Sequence, residues 1–386
     1  TLFPYTTLFR SRLTRLWQYR WWLLKACLNR PEVGNLRDWC FYEGIARPES
    51  LRVDPFAACM QLMEARWHPD PVYARDLLET LVKNDFLATR IFRHEDTEPN
   101  WLTHALVEAC HVRPELKTTL SEHFDRLAWD VDSYEGGWDG IGVLPASSFP
   151  LPVNAGILGE NGRRILAADD FDDVESVRQE GEEGERPHRP VMAVETASYY
   201  VANLKALATM AGWLGDTGRQ LTFEERATGV QQALLEHMWD DERGFFYDLK
   251  AYQSPSDGRP AKARSRTLAS LLPFWAGTAG LRHLRVLEQL RRGKGFVGRR
   301  AYVTLPDEDE DQTVQVPYWE TMAAYALLAT RDLWPNAEGE LVRLMGDYAE
   351  LQMPSKVPTV HRAYDATTGR SEERRVEKEC RSRWSP

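Results

Sequence analysis

The chain has 386 residues, a formal net charge of -10, and is 43% hydrophobic and 11% aromatic. That balance argues against a general nucleic-acid binder, which needs cations to displace counterions from phosphates, and no run approaches the roughly 18 apolar residues of a membrane-spanning helix. The five cysteines, Cys27, Cys40, Cys59, Cys110 and Cys380, form no C-x-x-C pair; no zinc site or redox dithiol is expected, and an odd, sparse set fits reduced thiols in the cytoplasm.

Residues 1–11, TLFPYTTLFRS, resemble a translated sequencing adapter, and so does the tail 370–386, RSEERRVEKECRSRWSP. Both are set aside as foreign to the fold, which leaves 12–369 as the expected domain, truncated at both ends. Within it helical periodicity dominates. The segment Val194 to Leu214 places Val194, Ala197, Tyr200, Val201, Leu204, Leu207, Ala208, Ala211 and Leu214 on one face, and Gly215-Asp216 supplies a stop. Similar patterns cover 13–29, 54–67, 71–85, 99–112, 115–129, 220–239, 264–276, 279–292, 313–332 and 336–351. Phe245 to Asp248 and Ala301 to Thr304 are short extended candidates.

Helices joined by loops, with few strands, predict an all-α fold. Antiparallel helix pairs suit a closed double ring, the (α/α)6 toroid, in which twelve helices make six hairpins. An open array is disfavoured because no period of about 34 or 40 residues recurs. Two loops stand out. Residues 130–165 are rich in Gly, Asp, Trp and Pro, and 169–190 form an acidic segment expected to be solvated and mobile. A third acidic run, Asp307 to Asp311, lacks the glycine and ligand spacing of a calcium loop.

Helical ring enzymes carry their chemistry on loops at one end. Glycoside hydrolysis needs an acid that protonates the leaving oxygen and a base or nucleophile opposite. The acid wants aromatic or apolar neighbours that disfavour its charged form. Asp139 meets that need, because it follows Trp138 and sits between glycines that allow close approach. Some of the fourteen tryptophans are expected to line a sugar cleft and the rest to pack the core. His104 and His111 share a helix but supply too few ligands for a metal, and no nucleotide, flavin or serine-hydrolase motif occurs. No cofactor or metal is therefore expected.

Glu135-Gly136-Gly137-Trp138-Asp139 resembles the E-S-G-W-D segment of the clan of trehalases, processing α-glucosidase I and mannosylglycerate hydrolase-like enzymes. Further pieces follow in the same order. Arg52 to Phe56 is similar to a W-D-x-x-F segment that includes Asp54, and Val194-Glu195-Thr196-Ala197 is similar to V-D-L-N. Trp239 to Asp248, WDDERGFFYD, resembles W-D-E-E-x-G-F-F-Y-D, Tyr318-Trp319 resembles the start of Y-W-R-G-P-V-W, and Ala363 to Gly369 is similar to x-Y-D-P-x-T-G. The resemblance implies the (α/α)6 toroid, inverting hydrolysis of an α-glycosidic bond in a small saccharide or glycoside, and Asp139 as general acid. It also implies sugar contacts at Trp138, Glu135, Asp54, Glu195, Tyr318 and Trp319.

Three departures accompany it. Arg362 stands where the clan places its catalytic Glu, Ala197 stands for the cleft Asn, and Glu320-Thr321-Met322 replaces the Arg-bearing continuation after Trp319. Glu320 is the candidate replacement base, since it directly follows Tyr318-Trp319. A hydrolase, a carbohydrate-binding protein without activity and a helical scaffold for protein partners are the readings to separate. The oligomeric state is not legible.

Overall fold

The computed structural model describes residues 6–29, 40–41, 55–83, 100–132, 191–250, 261–262, 266–290, 314–315, 317–353 and 364–365. The loop carrying Glu135, Trp138 and Asp139 lies outside them. So do Asp54, the acidic segment 169–190, Ala301 to Thr304, Asp307 to Asp311, Arg362 and the tail. The described residues are mostly helical and divide into two compact units, one of residues 1–19, 150–195 and 237–386, the other of 20–149 and 196–236.

In the second unit, α2 (Pro55–Ala65) packs on α3 (Val72–Lys83) and on α4 (Leu102–Val112), and α5 (Leu116–Glu122) packs on both α3 and α4. Leu62, Leu77, Leu78, Leu81, Leu106 and Cys59 are fully buried there, the aliphatic filling that helix ridges need to interlock. The expected helix over 115–129 is two: α5 ends at His123, whose ring lies 3.7 Å from the Glu79 carboxylate, and α6 (Phe124–Asp132) begins afresh.

A long helix, α7 (Val194–Leu214), closes with a Schellman turn in which Asp216 N–H donates to Ala211 O and Gly215 N–H to Gly212 O. Gly215 takes a positive φ of 72°, which only glycine adopts cheaply. The Asp216 side chain then caps α8 (Thr217–Ala233) by accepting Arg219 N–H at 3.0 Å. One face of α8 is buried, through Phe223, Ala227, Val230 and Ala233. From 193 to 211, by contrast, α7 is enclosed nearly all round, including Ser198 and Asn203; the single apolar face read from its sequence understates its burial. Asn203 Nδ2 donates to Asn100 O at 2.8 Å and its Oδ1 accepts His104 N–H at 3.1 Å, while Asn100 Oδ1 accepts Leu102 N–H at 2.8 Å. These buried amides satisfy the first N–H groups of α4, which no helical carbonyl can reach.

Helices α6 and α8 run in the same direction, fixed by two ion pairs. Arg219 pairs with Asp125 and Arg226 with Asp132, each pair 94 residues apart. Between them Phe124 meets Phe223 edge-on at 6.1 Å. Direction reverses through α7 and back through α8, as stacked helical hairpins require.

In the first unit, Trp239–Asp240 and Phe245–Phe246 form a tight hairpin followed by strand Leu249–Lys250, which pairs with both Val191–Met192 and Ala261–Lys262. Residues 264–276 and 279–292, expected as full helices, contain only short pieces: a 3-10 turn at Leu268–Leu271 running into α9 (Leu272–Trp275), and another at Leu281–His283 before α10 (Arg285–Glu288). Pro273 falls in the first turn of α9 and removes a donor there. The next helix, α11 (Pro317–Ala329), packs on α9 and on α12 (Ala337–Gln352). The first helix, α1 (Thr6–Cys27), sends Leu13 and Leu16 against Tyr348, Ala349 and Met353. Among the described residues no helix is long and apolar enough to cross a membrane.

Candidate active site

Two sequence pieces assigned to one site meet at the start of α7. Glu195 is its second residue and only 1% exposed. A carboxylate in the first helical turn faces the positive end of the macrodipole, which offsets part of the cost of burial. Asp248, the last residue of the WDDERGFFYD piece, is also buried, and its Oδ1 accepts the Val194 N–H at 2.9 Å. The pairing of Val191–Met192 with Leu249–Lys250 holds the two segments side by side.

The rest of that piece is scaffold. Asp240 Oδ1 accepts Arg243 N–H at 2.9 Å and Gly244 N–H donates to Asp240 O at 2.7 Å, which closes the turn. Backbone hydrogen bonding and the nearby Lys262 ammonium, against some desolvation, hold the Asp240 carboxyl below the usual range. Gly244 has φ of +68°, and a Cβ there would lie 2.6 Å from Arg285 Nε. Trp239 packs at 4.7 Å on Phe246 and edge-on at 4.7 Å on His283. Ser270 Oγ and Lys262 Nζ donate to the carbonyls of Phe246 and Trp239 at 2.7 and 2.6 Å. Burial, reinforced by the Arg282 charge, lowers the His283 pKa and keeps the ring neutral inside this aromatic nest. The most distinctive piece of the sequence thus presents aromatic rings to the core rather than to a sugar.

A second junction joins two more of the motif pieces. Strand Val314–Gln315 pairs antiparallel with Tyr364–Asp365, with Gln315 opposite Tyr364. In sequence Arg362 precedes Tyr364 by two, and Tyr318, Trp319 and Glu320 fall in the first turn of α11, which begins two residues after Gln315. Ala197, in place of the cleft Asn, is fully buried on α7.

The described tryptophans differ in burial. Trp101, Trp239 and Trp334 are buried, whereas Trp17, Trp22, Trp67 and Trp129 stay 46–62% exposed. Trp21 and Trp22, with Phe41, His68 and Tyr73, line a cavity of about 400 Å³. That cavity touches Ala65 and His68 at the C-terminal end of α2. His111 Nδ1 lies 3.3 Å from Glu108 Oε1, and among the described residues no group of three or more His, Cys, Asp or Glu could hold a metal ion.

The model of the mannosylglycerate hydrolase MGH1-like glycoside hydrolase domain matches residues 54–383, and the chain belongs to that family. The match runs past residue 370 into the tail. Among solved structures, a sialidase is similar with a TM-score of 0.68 and 16% identity over 93% of this chain, but the chain spans only 31% of that protein. A GH63 mannosylglycerate hydrolase from Thermus thermophilus, in complex with Tris and D-glycerate, gives 0.56 and 16% over 82% of this chain and 88% of that one. Neutral trehalase Nth1 from Saccharomyces cerevisiae gives 0.51 and 13% over 82% and 68%. Comparison with curated protein sequences found no significant match. The fold is the all-α (α/α)6 toroid.

Proposed function

We propose that this chain hydrolyses an α-glycosidic bond of a small saccharide or glycoside with inversion, Asp139 acting as general acid and Glu320 as base. The observation that carries the reading is the pairing of Val314–Gln315 with Tyr364–Asp365, since α11 with Glu320 begins two residues after Gln315 and Arg362 precedes Tyr364 by two in the sequence. A base must be ionised, and the first turn of a helix favours a carboxylate. The acid must be protonated, and Trp138 next to Asp139 favours that form. Glu135, Trp138, Asp54, Glu195, Tyr318 and Trp319 contact the sugar in this reading, and mannosylglycerate, the substrate named for one structural neighbour, is the first to test.

The test is an assay of the full chain on mannosylglycerate, trehalose and an aryl α-glucoside, with the first-formed anomer followed by proton NMR. Inversion releases the β-anomer first, and Asp139→Asn and Glu320→Gln each lower kcat by about 100-fold or more. An α-anomer product, or full turnover by either variant, overturns the assignment. Arg362 favours a second reading, a carbohydrate-binding protein without turnover; calorimetric binding of these sugars with no hydrolysis by the wild type supports that one instead.

A further inference from the structure

The aromatic cavity lies within the unit of residues 20–149 and 196–236 and contains none of the residues assigned to the active site. On α1, Trp21, Leu24 and Lys25 fall at i, i+3 and i+4, so a single helix face lines it. Leu28 continues that wall from the strand Leu28–Asn29, and Phe41 stands opposite Leu28 in the paired strand. Ala65, His68 and Tyr73 close the other side. Floor and rim differ in chemistry. Leu24, Phe41 and Ala65 are buried and form an apolar floor. Lys25 is exposed, and Trp22 is 59% exposed although it lines the cavity. An indole in that position offers a flat apolar face with a polar edge.

The walls are held by contacts of the protein itself. Asp70 N–H donates to His68 Nδ1 at 3.1 Å, and Asp70 Oδ1 accepts Val72 N–H at 3.0 Å at the start of α3. Arg113 Nε donates to Arg66 O at 3.0 Å, and a terminal nitrogen of the same side chain donates to His68 O. The His68 ring meets Tyr73 edge-on at 4.7 Å and tilts against Trp21 at 5.6 Å. Fixed walls reduce the ordering cost of binding. A volume of about 400 Å³ also lies within the roughly 300–1,000 Å³ of small-molecule sites. The lining carries one formal positive charge, Lys25, and no Asp or Glu, in a chain whose net charge is -10. A cationic ligand finds no countercharge in such a lining, whereas a carboxylate does. We infer that this cavity binds a pyranose bearing a carboxylate, with its ring stacked on Trp22 and its carboxylate at Lys25. The apolar floor beneath takes the C–H face of the sugar and excludes water.

Sodium glucuronate, glucose and sodium benzoate, titrated into the full chain by calorimetry, test this, and none of the readouts depends on turnover. Glucuronate is expected to saturate at millimolar concentrations or below, at least about tenfold more tightly than glucose or benzoate. Trp22→Ala weakens glucuronate about tenfold or more. Lys25→Gln weakens it about fivefold and removes most of the salt dependence, while Lys25→Arg stays within about twofold of the wild type. Trp17→Ala, an exposed tryptophan of α1 outside the cavity, and Glu320→Gln also stay within about twofold. Trp22 and Lys25 are exposed, so thermal unfolding of their variants is expected to match the wild type. The inference is overturned if glucuronate does not bind, or if Trp22→Ala binds it as the wild type does. It is overturned as well if Glu320→Gln removes binding, which places the sugar in the active site. Equal affinity for glucose refutes the role of Lys25, and tighter binding of benzoate refutes the choice of a sugar.

Discussion

A neutral imidazole at His104 makes the fold sensitive to acid. Desolvation lowers its pKa to about 4; Glu108 opposes the shift, and Arg66, His111 and Lys205 add to it. The unfolded chain takes up this proton near the ordinary histidine value of 6.5, before the native state does. Stability therefore falls as pH drops from about 6.5 to about 4 and is intact above that window, a loss of up to about 3 kcal/mol. Urea unfolding of the wild type and of His104→Gln at pH 7 and pH 4 checks this. The variant loses less stability between the two than the wild type, and equal losses would refute the assignment. At this scale Asp139, read as an acid from Trp138 and the flanking glycines, lies outside the described residues. The burial of Glu195 was not legible, since its sequence neighbours are ordinary helix residues.

Capping of α7 by Asp248 is the clearest bond between elements. Its carboxylate satisfies an N–H at the start of a 21-residue helix and is itself buried. Asp248→Ala leaves that donor without an acceptor and costs about 1–2 kcal/mol, whereas Asp248→Asn, which keeps an acceptor oxygen, costs less. Equilibrium unfolding in urea measures both, and equal losses would mean that the charge, not the hydrogen bond, matters. Most helix positions were readable, because periodicity and Gly-Asp stops are local signals. The failures were local competitions decided elsewhere. The 115–129 pattern broke at His123, where the ring turns to Glu79, and 264–276 shrank to α9 around Pro273 and the buried Ser270–Phe246 bond.

For the whole molecule, the cysteines report on packing. Cys59 and Cys110 are fully buried, Cys27 is partly accessible, and burial pushes the Cys110 thiol up to about 12. Iodoacetamide labelling followed by peptide mass spectrometry is expected to modify Cys27 in the native protein, and Cys59 and Cys110 only as the structure opens in denaturant. Rapid native labelling of Cys110 would contradict the packing of α4. The sequence by itself determined the helical class, the turn chemistry at Gly215-Asp216, and the order of the motif pieces, because these depend on residues within a few positions of one another. Only the tertiary structure decided that Asp248 holds the start of α7, that Arg226 grips Asp132, and that Val314–Gln315 pairs with Tyr364–Asp365. Each of these joins residues far apart in the chain, and no local pattern encodes a contact that exists only after the helices have packed.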